Sequence, residues 1–167
     1  MMAMTLDGII AKDKNQNADW TSKSDKKAFI AETKKHGVII MGNATFKAMG
    51  SKSLPGRFNL ILASKPEKYK LLEKAGQLKF KKGEPKKILE YLESKGYQSA
   101  ILGGGARTNS LFLKAGLVDE LLITIEPKIF GTGIKFTEGQ ELDLNLKLVE
   151  AKEIGDNAVQ LRYKVIK

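Results

Sequence analysis

An aspartate five residues after the only tryptophan is the side chain best placed to do chemistry, in the stretch DWTSKSD that runs from Asp19 through Trp20 to Asp25. A carboxyl held partly out of water keeps its proton to higher pH and can deliver it near neutrality. Two strand-to-helix turns accompany it, IIMGNAT around Gly42 and ILGGGART around Gly103, Gly104 and Gly105. Glycine lets the backbone come close, and the free amides of a helix start face such a turn, which is how a helix end holds a phosphate. Neither turn carries the G-x-G-x-x-G dinucleotide pattern or the G-x-x-x-x-G-K-[ST] loop. Arg57 lies in the rigid turn LPGR, where a fixed guanidinium suits bidentate carboxylate recognition or serves simply as a surface cation. Asp25 has a structural reading too. Ser22 sits three residues ahead of it, a capping-box spacing with Asp in place of Glu or Gln. Spacing alone leaves both roles open. An acid beside a phosphate-holding turn suits a nucleotide-dependent enzyme.

Composition narrows the chemistry. There is no cysteine, so disulfides and thiolate catalysis are out, in keeping with a reducing cytoplasm. The one histidine, His36, argues against a His-based metal site or a Ser-His-Asp triad, and no metal is expected. It follows Lys34 and Lys35 just before Gly37, where it reads as a helix-end cation. The net charge of +10 favours anionic partners. Nearly all of it is lysine spread among glutamates, with Arg57, Arg107 and Arg162 the only arginines, so a basic nucleic-acid-binding module is the weakest reading. No apolar run is long enough to span a bilayer, and the N-terminal stretch lacks a basic n-region, so a cytoplasmic protein with no membrane partner is expected.

The elements that must position these residues follow from pattern. Lys12 to Asp19, KDKNQNAD, is too polar to pack and reads as an exposed loop suited to a lid. A helix is expected from Ser22 to Gly37, then a strand buried on both faces at Val38–Met41. Asn43 to Met49 reads as a short helix, Phe58–Ala63 as a buried strand and Pro66 to Ala75 as helical. Leu78–Phe80 is a short strand, Glu84–Lys95 an amphipathic helix, and Arg107 to Ala115 the helix after the glycine turn. Leu121–Ile125 is a strand, and Leu146–Glu153 with Ala158–Ile166 form a hairpin about Gly155-Asp156-Asn157. Strands alternating with helices, then a terminal hairpin, predict one α/β domain over residues 1–167. Its mostly parallel central sheet would have about eight strands, flanking helices and a C-terminal antiparallel hairpin.

AMTLDGIIA, Trp20 with Asp25 and Phe29, IIMGNATF, LPGR with FNLILAS, ILGGG, and LLITIEP followed by FGTG stand in an order and spacing that resembles dihydrofolate reductase. The resemblance covers nearly the whole chain and extends to the wider superfamily that includes the reductase domain of riboflavin biosynthesis. It implies NADPH-dependent reduction of 7,8-dihydrofolate to tetrahydrofolate, with Asp25 on the pterin and assisting N5 protonation. By the same resemblance Thr124 supports the amino group through water, and Trp20 closes the site. Phe29, Met49 and Leu54 pack on the folate and Arg57 takes the tail carboxylate. The backbone at Met1 and Leu102 brackets the pterin and Ala3 lines it. Ala3, Ile10, Gly42, Asn43, Ala44, Thr45, Ser64, Lys65, Gly103, Gly104, Gly105, Ala106 and Arg107 fall in the cofactor site. A monomer is implied, with a dimer as the alternative, since riboflavin-type relatives are often dimeric.

Three positions depart from the family pattern. Asn43 stands where an arginine usually meets the 2′-phosphate, leaving Lys65 or Arg107 as substitutes. Lys26 replaces an apolar folate contact, and Ala106 puts Arg107 one place late. The segment GGGARTNSLFLKAGLVDEL is similar to the riboflavin-type reductases, which makes reduction of a related pyrimidine carrying a ribose phosphate the alternative activity. Lys26 would suit that phosphate.

Overall fold

The computed structural model describes residues 1–167, Ala18 by its backbone alone. The strand β3, Val38–Gly42, is the one the others pack around, since its apolar run is buried on both faces. Its residues alternate between two cores. Val38 and Ile40 join Phe58, Leu60, Ile88, Leu92 and Phe112. Ile39 and Met41 join Phe46, Ile61 and Phe80 instead. This period of two is what a pleated strand imposes.

In chain order the strands are β1 (Met2–Thr5), β2 (Ile9–Ala11), β3, β4 (Phe58–Leu62), β5 (Leu78–Lys81), β6 (Ile101–Leu102), β7 (Glu120–Glu126), β8 (Ile134–Lys135), β9 (Leu146–Gly155) and β10 (Ala158–Val165). The helices are α1 (Lys23–His36), α2 (Asn43–Ala48), α3 (Pro85–Glu93) and α4 (Ala106–Lys114). One sheet runs β5-β4-β3-β6 and is wholly parallel. A second runs β1-β7-β10-β9, parallel between β1 and β7 and antiparallel beyond, and β2 and β8 form a small ribbon. The α/β class, the flanking helices and the terminal hairpin are therefore as expected.

The expected sheet is parted in the middle. β6 has two residues and β1 begins at Met2, too short to build a ladder, so the halves meet where the Met1 amine donates to Leu102 O at 2.9 Å. Beside this junction lies a cavity of about 880 Å³, lined among others by Leu92, Phe112, Leu121, His36 and Arg162. Pro66–Leu72 is a 3-10 turn and not the α-helix that composition suggested. Leu71 is fully exposed there, so no apolar face exists to stabilise a longer helix.

Burial pushes the Met1 amine down from its ordinary value of 8.0 to about 5. A native value below the unfolded one means that stability is full above pH 8 and drains away as pH falls towards 5. The gap is worth about 4 kcal/mol. Urea unfolding should therefore show stability falling between pH 8 and pH 5, and acetylating the Met1 amine should flatten that slope. A slope unchanged by acetylation would refute the assignment.

Candidate active site

Asp25 is placed by three separate anchors on the start of α1. Ser22 caps the helix, its Oγ accepting from Asp25 N at 3.1 Å. The capping-box acid does not reach back as the sequence suggested; the Ser22 amide donates to Glu126 Oε1 of β7 at 3.0 Å instead. Ser24 N donates to Asp156 Oδ2 at 3.0 Å, in the β9–β10 turn where Asp156 and Asn157 both take left-handed backbone angles. That turn is the hairpin type the Gly-Asp-Asn signal predicted. Gly155 must be glycine for this docking, because a Cβ there would stand 2.7 Å from Ser24 Oγ. At its other end α1 stops at Gly37, left-handed at φ 71°, after Lys34, Lys35 and His36. His36 faces Ser99 and Glu32 at this end of the helix.

The Asp25 carboxyl is 7% exposed. Burial raises its pKa above the usual 3.8; the hydroxyls of Thr124 and Thr21 oppose the shift, neighbouring Glu126 adds to it and Lys26 opposes it. Thr124 lies near enough to favour the charged form without closing a hydrogen bond, and its Oγ1 is buried and unpaired. Across the sheet it faces Gln160, whose Nε2 is also buried and unpaired. Buried polar atoms without partners are uncommon and mark places where a ligand or water completes the bonding. Ala3 is the parallel partner of Thr124, so it lies beside the same spot.

The two glycine turns meet. Gly42 N donates to Gly104 O at 2.8 Å, and Gly103 N to Ile40 O at 2.8 Å. A Cβ on Gly42 would sit 2.7 Å from Thr108 Oγ1, and one on Gly105 would sit 3.0 Å from Thr45 Oγ1. Only glycine permits this approach. Neither α2, whose N-cap position is Gly42, nor α4, whose N-cap position is Gly105, has a side-chain cap. Their first amides are thus left for something else to satisfy, which fits the phosphates of a dinucleotide. Ala106 is buried while Arg107 is exposed, as are Ser64, Lys65 and Ala44.

The remaining predicted residues are distributed unevenly. Phe29, Met49 and Leu54 gather against one core cluster, forming an apolar wall. Trp20 packs edge-on to Phe130 at 5.1 Å, and Lys128 Nζ donates to the Trp20 carbonyl at 2.5 Å. Lys12 covers the other side of Phe130 at 4.8 Å from the ring centroid, so the loop from Lys12 to Asp19 is tied at both ends to the FGTG segment. Ile10 lies in the β2–β8 ribbon. Asn43 donates to Tyr69 Oη at 2.7 Å, and its Oδ1 is buried and unpaired.

One placement corrects the expectations. Arg57 is 6% exposed and turned inward, with Nε on Pro55 O, and Nη1 on Ile30 O and Thr33 Oγ1. A guanidinium so engaged braces α1 against the LPGR turn and is not displayed to a tail. The Met1 amine donates to the Leu102 carbonyl, so the two backbone positions expected to bracket a substrate lie side by side. Glu126, 1% exposed, was passed over in reading the sequence. The available signal was a carboxylate ending an otherwise apolar strand, ELLITIE. Among the described residues no cluster of His, Cys, Asp or Glu could hold a metal ion, and no helix is long and apolar enough to cross a membrane.

Comparison with known proteins places this geometry. The family described as the RibD C-terminal domain matches residues 1–160. The uncharacterized protein YyaP of Bacillus subtilis (strain 168) is 26% identical over 97% of this chain and 91% of its own length. A putative riboflavin biosynthesis protein from Shewanella sp. PV-4 superposes with a TM-score of 0.77 at 23% identity, over 99% of this chain and 97% of that one. Dihydrofolate reductase from Enterococcus faecalis, complexed with NADP(H) and RAB-propyl, does so with a TM-score of 0.73 at 22% identity, over 99% and 94%.

Proposed function

This chain belongs to the RibD C-terminal domain family, and we propose that it is an NADPH-dependent reductase of an amino-oxopyrimidine, as in riboflavin biosynthesis. The observation that carries the reading is a buried, protonatable Asp25 opposite the unpaired Thr124 hydroxyl, in a fold whose glycine turns leave two helix starts uncapped.

NADPH, when bound, supplies the hydride. Gly42, Ala44, Thr45, Gly103, Gly104, Gly105 and Ala106 would hold its phosphates, and Ser64, Lys65 and Arg107 its adenosine end. Asn43 spends its amide on Tyr69, so recognition of the 2′-phosphate rests on Lys65 and Arg107. Asp25 accepts from the amino edge of the ring and moves a proton, and Thr124 orients the same edge. Trp20 and its loop exclude water. The inward Arg57 removes the main reason to expect a glutamate tail, and Lys26 beside Asp25 suits a ribose phosphate. Reduction of 7,8-dihydrofolate is the second reading, favoured by the wall of Phe29, Met49 and Leu54 that an aminobenzoyl group would use.

The test follows NADPH absorbance with 5-amino-6-(5-phosphoribosylamino)uracil and, separately, with 7,8-dihydrofolate, repeating each with NADH. The expected result is the higher kcat/KM on the pyrimidine. Faster turnover of dihydrofolate would replace the first reading with the second, and no oxidation with either substrate would sink both. Equal use of NADH would remove the 2′-phosphate role from Lys65 and Arg107.

A further inference from the structure

We propose that Glu126 is a positioning residue for Asp25, tying the first turn of α1 to β7 through Ser22 and setting a second buried carboxylate against the acid. The proposal builds on the reading of Asp25 as the proton-handling group.

The geometry is a relay. Ser22 N and Ser22 Oγ both donate to Glu126 Oε1 at 3.0 Å, and the same Oγ accepts from Asp25 N at 3.1 Å. One hydroxyl therefore links the Glu126 carboxylate to the backbone amide of Asp25. Glu126 is 1% exposed at the end of β7, paired in register with the fully buried Thr5, and the strand cannot shift without breaking that ladder. It is two residues beyond Thr124, so both side chains leave the same face of β7, the face on which α1 starts.

A buried carboxylate in a strand is costly unless it performs a task that an apolar residue cannot. Two consequences follow here. The helix start is fixed to a rigid strand in place of being held by its cap alone. Glu126 also acts on the Asp25 carboxyl electrostatically, in the direction that disfavours its ionised form. The charged and hydroxyl groups facing Asp25 are Thr124 and Glu126 from β7, Thr21 ahead of the helix, and Lys26 within it. Glu126 is the one among them that pushes the acid towards its protonated form.

The experiment is a carbon-detected NMR titration of the Asp25 carboxyl in the free protein, in wild type and in Glu126→Gln. Glutamine keeps an acceptor for Ser22 and deletes the charge, so the Asp25 midpoint should fall by about half a unit to one unit. Ser22→Ala cuts the relay and should move the midpoint as well, while Ser22→Thr, which keeps the hydroxyl, should restore it. An Asp25 midpoint that stays within experimental error in both Glu126→Gln and Ser22→Ala would overturn the proposal. Because no substrate or cofactor is present, this outcome is independent of whether the protein turns over either pyrimidine or dihydrofolate.

Discussion

Asp25→Asn should lower kcat at pH 7 by about 100- to 1000-fold while raising the melting temperature. The loss follows from removing the acid that handles the proton, since a positioned proton donor contributes about 10²- to 10⁴-fold. The gain in stability follows from the same burial. Desolvation raises the native pKa of Asp25 above 3.8, so the native state holds the proton to higher pH than the unfolded chain does. The group's contribution is then favourable below the unfolded value and lost as pH rises through the native one. Once Asp25 ionises, the native state carries a charge that burial disfavours, and the neutral amide removes that cost. Each kcal/mol relieved in this way corresponds to about 2–4 °C for a domain of this size. Activity with both substrates and a thermal melt at pH 7 measure the two effects together. A variant that loses stability and keeps turnover would show that Asp25 is only the helix-start acid which the Ser22 spacing also allowed.

That choice was open in the sequence for a physical reason. Spacing reports which residues share a helix end, and Ser22 does cap α1 through Asp25 N. It does not report what the carboxylate faces after folding, which here is Thr124, a hundred residues away. The strands were legible where burial on both faces left continuous apolar runs, as at Val38–Met41, and the hairpin where Gly155-Asp156-Asn157 demanded left-handed angles. The parting of the sheet was not legible, because it depends on how few residues of β1 and β6 meet. Arg57 misled because a rare arginine in a rigid turn looks displayed. Its partners Ile30 and Thr33 lie on α1, 27 and 24 residues earlier in the chain, and no local pattern shows that they will receive it. Glu126 escaped because the strand pattern around it was already explained by hydrophobicity.

Gly104→Ala should damage both stability and cofactor binding, and Gly96→Ala shows why. The two glycines have nearly the same backbone, φ 90° at Gly104 and φ 85° at Gly96. A side chain is strained at either angle, by about 1 kcal/mol or somewhat more. At Gly96 an added Cβ meets nothing within 4 Å, so the conformational term is all that is lost. At Gly104 the same atom runs into the Met2 side chain, with Sδ 2.9 Å away, in the strand that joins the two halves of the sheet. Overpacking there adds about 1–3 kcal/mol, and relief requires either the Met2 side chain to swing aside or the turn to back away. Backing away would break the bond from Gly42 N to Gly104 O and separate the two helix starts. Urea unfolding should therefore find Gly104→Ala about 2–4 kcal/mol less stable than wild type and Gly96→Ala about 1 kcal/mol less stable. NADPH affinity, read by fluorescence titration, should fall about 10- to 100-fold in Gly104→Ala and stay unchanged in Gly96→Ala. Equal stability losses in the two variants would mean that Met2 yields freely, and an unchanged NADPH affinity in Gly104→Ala would take the phosphate-holding role away from this turn.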